Sequence, residues 1–248
     1  MLSPARRHLL KAKAAIEAAK ADEFGGVRPD ASVYQLQLTE LKNDIHVLRS
    51  IQSQDKRAEI KKELIPKHIP YVLGVVQSGA KVEQDEVITT IMLWCFDCGL
   101  FNQGLDLAEY ALQNNLKMPD SFSRNTASIV AEEIGNAAHK AYQDGQVFRL
   151  DVLEKANQLT ADYDMHNQIT AKLYLALGRT FLQLNRGSEA VSFIKMAIAK
   201  NENCGGKTDL KKAEKLFKEQ LENLPEPMMN PNGSQVVDDQ GNLVFHPT

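Results

Sequence analysis

Residues 3–20 read SPARRHLLKAKAAIEAAK, and residues 34–48 read YQLQLTELKNDIHVL. The first stretch predicts a basic helix, because Ser3 can cap its start, Pro4 suits its first helical position, and five Lys or Arg residues outnumber the single acid Glu17. The second stretch places apolar residues at alternating steps of four and three, which is typical of a coiled-coil helix. The two stretches therefore favour an all-α fold.

The coiled-coil spacing predicts a long helix over residues 31–64. About thirty residues at a rise of 1.5 Å form a rod of about 45 Å, which is more than one small core can cover. Such a rod tends to find a partner helix, either in another copy or in the same chain folded back. We expect a homo-oligomer with the apolar positions at the contact, namely Tyr34, Leu38, Leu41, Ile45 and Leu48.

The basic helix allows two interpretations. In the first it is a solvated helix that docks on a core by its apolar face, as most charged helices do. That face consists of Leu9, Leu10, Ala14, Ile16 and Ala18. In the second it is an arm that approaches DNA phosphates, where each cation adds salt-dependent affinity without reading the sequence. The candidate DNA-binding residues are Arg6, Arg7, His8, Lys11 and Lys13.

Composition bounds the remaining possibilities. A chain of 248 residues with 43% hydrophobic content can bury a real core in one or two domains. No apolar run of about 18 residues occurs, and no apolar stretch follows the basic start, so we expect neither a membrane span nor a secretory signal. The three cysteines, Cys95, Cys98 and Cys204, suggest no disulfide framework. These features predict a cytoplasmic protein.

Helical periodicity recurs to about Leu221, and strand signals are scarce. We expect helices at 4–21, 31–64, 68–78, 84–98, 104–115, 123–144, 150–161, 167–184, 187–200 and 208–222. Three regions follow: a basic arm with an oligomerising helix over 1–66, a compact helical domain over 67–222, and a flexible Pro- and Gly-containing tail over 223–248. The spacing of small and aromatic residues from Tyr174 to Ala197 predicts a tetratricopeptide-like helical hairpin.

A nuclease-like pattern occurs near the start of the long helix. Pro29-Asp30 and Glu40-Leu41-Lys42 spell the PD and ExK letters of a large nuclease class. That site needs its acids on adjacent strands around one metal ion, whereas Glu40 and Lys42 lie two residues apart on a helix and face apart. We interpret these residues as cap and coiled-coil positions, and an autonomous metal nuclease stays a less favoured alternative.

Two other motifs have structural explanations. Gly205-Gly206-Lys207-Thr208 resembles the end of a phosphate-binding loop, but Asn201 stands where the loop needs its first Gly, so we expect a glycine stop with Thr208 capping the next helix. The CxxC of Cys95 and Cys98 has no second pair, so we expect buried small residues instead of zinc ligands. No pattern identifies catalytic residues, a metal or a cofactor.

Several separated motifs are similar to one known family. They are SPARRH at 3–8, ELIP at 63–66, IPYV at 69–72, IMLW at 91–94, AEYAL at 108–112 and LKMP at 116–119. In this order they resemble the small terminase subunit of P2-like tailed bacteriophages. The resemblance covers most of residues 3–200 and leaves out the chain after Leu221.

The resemblance implies a role in virion assembly in the host cytoplasm. Members of that family are expected to recognise the cohesive-end (cos) site of double-stranded viral DNA and to deliver it to the large ATPase subunit for cutting and packaging. They are also described as endonuclease subunits, and small terminases as a group form rings. Two alternatives stay open: a protein-binding helical scaffold that never touches DNA, and a subunit that itself cuts cos DNA.

Overall fold

The structure of the chain is a computed structural model that describes residues 3–23, 32–119 and 124–223. Within these ranges it contains ten helices and no strand, which confirms the predicted all-α class. The helices are α1 (Pro4–Glu23), α2 (Ser32–Arg49), α3 (Gln54–Ser78), α4 (Glu86–Asp97), α5 (Phe101–Gln113), α6 (Thr126–Gln143), α7 (Leu150–Thr160), α8 (Asn167–Gln183), α9 (Gly187–Lys200) and α10 (Lys207–Glu222).

The basic helix α1 packs closely on α3 through small residues. Ala14, Ala18 and Ala21 are buried, and Gly74 of α3 lies opposite them. A Cβ atom at Gly74 would stand 2.4 Å from the carbonyl oxygen of Lys11, so no larger residue fits there without a shift of the backbone. The Asp22 carboxylate accepts a hydrogen bond from the backbone N–H of Lys81, so α1 and α3 run in the same direction.

The predicted long helix over 31–64 is wrong in its extent. α2 ends at Arg49, and α3 begins at Gln54 after Ser53, whose hydroxyl accepts a hydrogen bond from the backbone N–H of Lys56 at 3.3 Å. This serine cap starts a new helix where the apolar spacing alone suggested continuity. The chain therefore folds back, and α2 packs against α3 instead of extending as a rod.

The predicted helix stop near residue 66 is also wrong, because α3 continues through Pro66 and Pro70. Each proline removes one backbone hydrogen bond from the helix. The same helix buries Ile65, His68 and Tyr71, and tertiary packing of this kind supplies most of a helix's stability. The predicted boundary between the first two regions falls inside α3, and the division into regions stays a prediction.

The remaining helices form successive antiparallel pairs. α4 packs on α5, α6 on α7, and α8 on α9, while α10 closes the far end against α9. The α8–α9 pair is the predicted hairpin, and Gly178 allows its close approach, since a Cβ there would lie 2.5 Å from Cγ1 of Ile194. Its likeness to a tetratricopeptide repeat stays a prediction. Buried side chains from α1 to α10 belong to one continuous core.

The start of α10 differs from the expected one. α10 begins at Lys207 after the cap residue Gly206, so the expected Thr208 cap is wrong, while Gly205 takes the left-handed conformation with φ of +85°. None of the described helices has the length and apolar content to cross a membrane. The predicted tail, beyond residue 223, lies outside the described residues.

Candidate nucleic-acid interface

The helix α1 presents most of its cations to solvent. Its start is capped as predicted, because the Ser3 hydroxyl accepts a hydrogen bond from the backbone N–H of Arg6 at 3.3 Å. Four of the five candidate DNA-binding residues, Arg6, Arg7, His8 and Lys13, are exposed, and Lys11 is half-buried. The helix packs on the core, as the interpretation of a docked helix requires. It also has an exposed basic surface, as the interpretation of a DNA-binding arm requires.

The docking face differs from the predicted one. Ala14 and Ala18 are buried as expected, but Leu9 and Ile16 remain exposed. With 3.6 residues per turn, Leu9 and Ile16 lie on the side of α1 away from Ala14 and Ala18, so they cannot share the face that packs on α3. Two large apolar residues are therefore left on the solvent side of the basic helix.

Glu17, the single acid between Ser3 and Lys20, is used to hold α2. Its carboxylate oxygens accept hydrogen bonds from the backbone N–H groups of Val33 at 2.8 Å and Tyr34 at 3.1 Å. The first N–H groups of a helix have no partner within the helix, so a carboxylate placed there caps it and complements its dipole. Glu17 is thereby held at the start of α2, and within the described residues it forms no salt bridge with the cations of α1.

The candidate cations divide into two rows. With 3.6 residues per turn, positions seven apart lie nearly on one line, so Arg6, Lys13 and Lys20 form one row. Arg7 and Lys11 lie instead on the side of the alanines that pack on α3. Lys20 was not among the predicted site residues, although its seven-residue spacing from Lys13 was visible in the sequence. The five predicted residues thus do not share one face.

The row of Arg6, Lys13 and Lys20 edges a groove between α1 and α2. The groove has a volume of about 540 Å³. Its apolar lining comes from Leu9, Leu10, Ile16, Val33 and Leu36. We call this feature the α1–α2 groove.

A second run of four cations, at the start of α3, is engaged within the chain at two positions. Lys61 pairs with Asp97 at 2.5 Å, and the Arg57 guanidinium donates to the carbonyl oxygen of Ile51 at 2.6 Å. Lys56 and Lys62 stay exposed. Half of this run therefore joins α3 to its neighbours, and the other half faces solvent.

The predicted oligomerisation stripe faces the chain's own core. Leu41 and Leu48 are buried, whereas Tyr34, Leu38 and Ile45 are partly buried and pack against the core cluster. The stripe thus holds α2 in place within one chain. Its part in contacts between copies stays a prediction.

A buried polar network fixes α2 against α3. The Gln37 amide N–H₂ group lies 2.7 Å from Nδ1 of His68, and Nε2 of His68 lies 2.9 Å from the Asp44 carboxylate. The amide can only donate, so Nδ1 accepts and the proton of a neutral imidazole sits on Nε2. Burial lowers the pKa of His68 below its ordinary value of 6.5, although Asp44 opposes this shift.

The nuclease-like letters do not meet in the described part of the chain. Glu40 pairs with Lys67 at 3.1 Å, Lys42 is exposed, and Asp30 lies outside the described residues. Among the described residues no group of three His, Cys, Asp or Glu side chains is placed to hold a metal ion.

The CxxC cysteines sit at the end of α4. Cys95 is buried, which raises the pKa of its thiol to about 12, and the Cys98 thiol donates to the carbonyl oxygen of Ala58. A thiol with so high a pKa is a poor nucleophile at neutral pH, because that role needs the thiolate.

A larger cleft, of about 890 Å³, lies between α6 and α8. Its cations are mostly paired: Arg124 with Glu132, and Arg179 with the buried Asp209 at 2.7 Å. Lys172 donates to Asn136, and burial together with the nearby Arg124 lowers the pKa of Lys172. We call this feature the α6–α8 cleft. Its cations are held by the fold, unlike those of the α1–α2 groove.

An all-α fold with a basic helix ahead of stacked helical pairs defines the general class, a helical protein with a candidate surface for nucleic acid. The chain belongs to the phage small terminase subunit family, whose model matches residues 38–168. The basic helix α1 precedes the matched region. This membership confirms the resemblance drawn from the sequence motifs.

Two phage proteins are similar to the chain over longer stretches. It is 32% identical over 225 residues to the "Terminase, endonuclease subunit" of Escherichia phage P2, covering 91% of this chain and 90% of that protein. It is 24% identical over 155 residues to the "Probable terminase, endonuclease subunit" of Haemophilus phage HP1 (strain HP1c1), covering 62% of this chain and 55% of that protein. No solved structure matches the chain.

Proposed function

We propose that this terminase subunit recognises the cos site of double-stranded viral DNA and directs its cutting and packaging by the large ATPase subunit. The observation that carries the proposal is the exposed basic charge of α1, which has five Lys or Arg residues against three acids. Arg6, Arg7, His8 and Lys13 are exposed, and the nearest acid in the sequence, Glu17, is committed to capping α2. Lys11 completes the proposed contact set from its half-buried position.

The packing of α1 on α3 supports this role. A docked helix keeps its cations in a fixed arrangement, so less conformational entropy is lost on binding than with a free arm. Phosphate contacts made this way set position and affinity, while sequence must be read by other groups. Several copies in one assembly would add their weak contacts on one DNA.

The relatives' names favour a second candidate, in which this chain itself cuts cos DNA. We infer instead that the chain supplies recognition and the large subunit makes the cut. Glu40 is held in an ion pair with Lys67, and Lys42 points away from it on α2. Magnesium-dependent cleavage of cos DNA by the purified chain, lost on Glu40→Gln, would reverse this assignment.

Replacing Arg6 and Lys13 by Ala tests the DNA contact. We expect weaker binding to a cos-containing fragment, and a slope of log K against log salt that is shallower by about 1.8, since each B-DNA phosphate contact contributes about 0.9. Binding is measured by gel shift or filter retention across a salt series, with helicity checked by circular dichroism.

The matched control replaces Lys211 and Lys212, two exposed cations of α10, by Ala. It removes the same charge from the chain while leaving α1 intact, so we expect it to bind DNA like the parent protein. Equal affinity and slope in the folded Arg6→Ala/Lys13→Ala variant and the parent would refute the contact and favour the scaffold that binds only protein.

A further inference from the structure

The α1–α2 groove exposes large aliphatic side chains that the fold does not cover. Leu9 is 53% exposed, Ile16 58% and Leu36 72%. All three line the same groove of about 540 Å³. Apolar side chains grouped in a concave surface typically mark a binding site, whereas scattered ones do not. The groove is therefore a candidate docking surface.

The groove also has cations without partners. Within the described ranges, Arg6, Lys13 and Lys20 form no salt bridge. The two neighbouring acids are committed elsewhere, because Glu17 caps α2 and Glu40 pairs with Lys67. In the α6–α8 cleft, by contrast, the main cations already have acidic partners. An acidic segment with apolar residues can therefore form more new ion pairs in the α1–α2 groove than in the α6–α8 cleft.

The chain itself contains a segment of this composition. From Glu219 to Thr248 it has five acids and no Lys or Arg, whereas residues 1–20 have five Lys or Arg and one acid. Near its end, the apolar runs Val236-Val237 and Leu243-Val244-Phe245 flank the acidic pair Asp238-Asp239. This order of apolar, acidic and apolar residues is complementary to a groove in which aliphatic residues alternate with cations.

The lengths are compatible. From Arg6 to Lys20 the groove edge measures about 21 Å at 1.5 Å per residue. Ten residues, 236–245, span about 30 Å when extended. The segment can therefore cover the whole edge.

We propose that residues 236–245 bind in the α1–α2 groove, with Asp238 and Asp239 beside Lys13, the middle cation of the row of Arg6, Lys13 and Lys20, and with the apolar runs on Leu9, Ile16 and Leu36. The segment then competes with DNA for Arg6 and Lys13, so it regulates the DNA contact. This consequence rests on the proposed function, while the docking itself does not.

Photo-crosslinking in the full-length chain tests the docking. Phe245 is replaced by benzoylphenylalanine, and adducts are mapped by mass spectrometry. We expect them on peptides covering residues 6–20 or 33–40. Adducts confined to other regions, such as the α6–α8 cleft, or no adduct at all, overturn the proposal. Mixing isotope-labelled and unlabelled chains identifies whether the docked segment belongs to the same copy.

Charge variants provide the matched control for the crosslink. Lys13→Glu with Lys20→Glu is expected to reduce the yield about three- to tenfold, the range for two screened ion pairs. Lys211→Glu with Lys212→Glu makes the same charge change on α10 and is expected to leave the yield unaltered. An equal loss in both variants overturns the assignment to the groove.

The competition with DNA has its own readout. Asp238→Asn with Asp239→Asn in the full-length chain is expected to tighten DNA binding about three- to tenfold at low salt. Glu226→Gln, an acid outside the proposed segment, is expected to leave it unchanged. A groove crosslink with unaltered DNA affinity would sustain the docking and overturn the competition. If no groove crosslink forms but Arg6→Ala/Lys13→Ala still weakens DNA binding, the docking is overturned and the proposed function is supported.

Discussion

The Glu17 carboxylate shows how one residue can set the charge of a surface. It sits on the basic helix, yet its two oxygens are committed to the first backbone N–H groups of α2. A carboxylate at that position stabilises the capped helix by about 1 kcal/mol. The same contact joins α1 to α2 across the sixteen positions that separate Glu17 from Val33.

A second residue, His68, is completely buried at the α2–α3 contact, and its ring makes a T-shaped contact with the Trp94 ring. In its neutral form the ring can accept a hydrogen bond from the Gln37 amide and donate one to the Asp44 carboxylate. A protonated ring would place a second N–H against the Gln37 amide N–H₂ group, which is also a donor. The structure therefore favours the neutral ring, and Lys67, the nearest cation to the Asp44 carboxylate, adds to this preference.

The neutral His68 makes stability depend on pH. Since its pKa is lower in the folded than in the unfolded chain, the stabilisation is fully present above pH 6.5 and is lost as the pH falls from there through the lower folded pKa. Urea unfolding at a series of pH values should show a decline of up to about 1.4 kcal/mol per pH unit in that window. His68→Gln should flatten this decline. Replacing the exposed His8 by Gln is the control, and an unchanged slope in the His68 variant would contradict the assignment.

At the scale of elements, the crossing of α1 and α3 decides which side chains reach solvent. Gly74 brings the α1 backbone against α3, and the alanines of α1 fill the narrow interface. Leu9 and Ile16 are then excluded from it and line the groove instead. Gly74 thus permits the close contact of the alanine face of α1, and this contact leaves the face with Leu9 and Ile16 exposed.

Gly74→Ala tests this crossing. The added methyl group would meet the Lys11 carbonyl oxygen at 2.4 Å, so α1 must shift. Overpacking of this kind costs about 1–3 kcal/mol of unfolding free energy, although alanine is the better helix former. Hydrogen exchange should show lost protection concentrated in α1. Gln77→Ala, at an exposed position of the same helix, is the control. Unchanged protection of α1 would show that the close crossing is not formed.

At the scale of the whole molecule, charge is separated along the chain. The first twenty residues are strongly basic, and the last thirty are acidic, in a protein whose net charge is only −3. A protein with a net charge near zero can still have strongly charged surfaces, and each of these attracts partners of the opposite charge. Self-association belongs to this scale too, because the stripe of α2 leaves its partly buried members Tyr34, Leu38 and Ile45 at the margin of the core.

We predict that the native protein is a homo-oligomer in which α2 contributes to the contact. Val47, which is 54% exposed on α2, is the best position for a variant that spares the core. Val47→Glu should lower the assembly mass measured by native mass spectrometry while leaving the unfolding of each chain unchanged. Leu41→Ala, at a buried position, should instead cost about 2–5 kcal/mol of stability. A monomeric parent protein at working concentration would refute the prediction.

The sequence predicted much of the local structure. Ser3 caps α1, most helices lie within a few residues of their expected places, and the α8–α9 pair has its close contact at Gly178. These features depend on residues near one another in the chain. The long helix was wrong because its apolar period continued past residue 49, while the break depended on the Ser53 cap.

By itself the sequence determined the all-α class, the basic character of the first helix and the family. Helix period, charge and motif order depend only on which residues occur and in what order. Only the tertiary structure decided which of those residues face solvent. The close crossing at Gly74 buries the alanine face of α1 and leaves Leu9 and Ile16, on its other side, exposed, while Glu17 caps the folded-back α2. Such choices follow from contacts between distant parts of the chain, whose close packing permits one arrangement and excludes the alternatives.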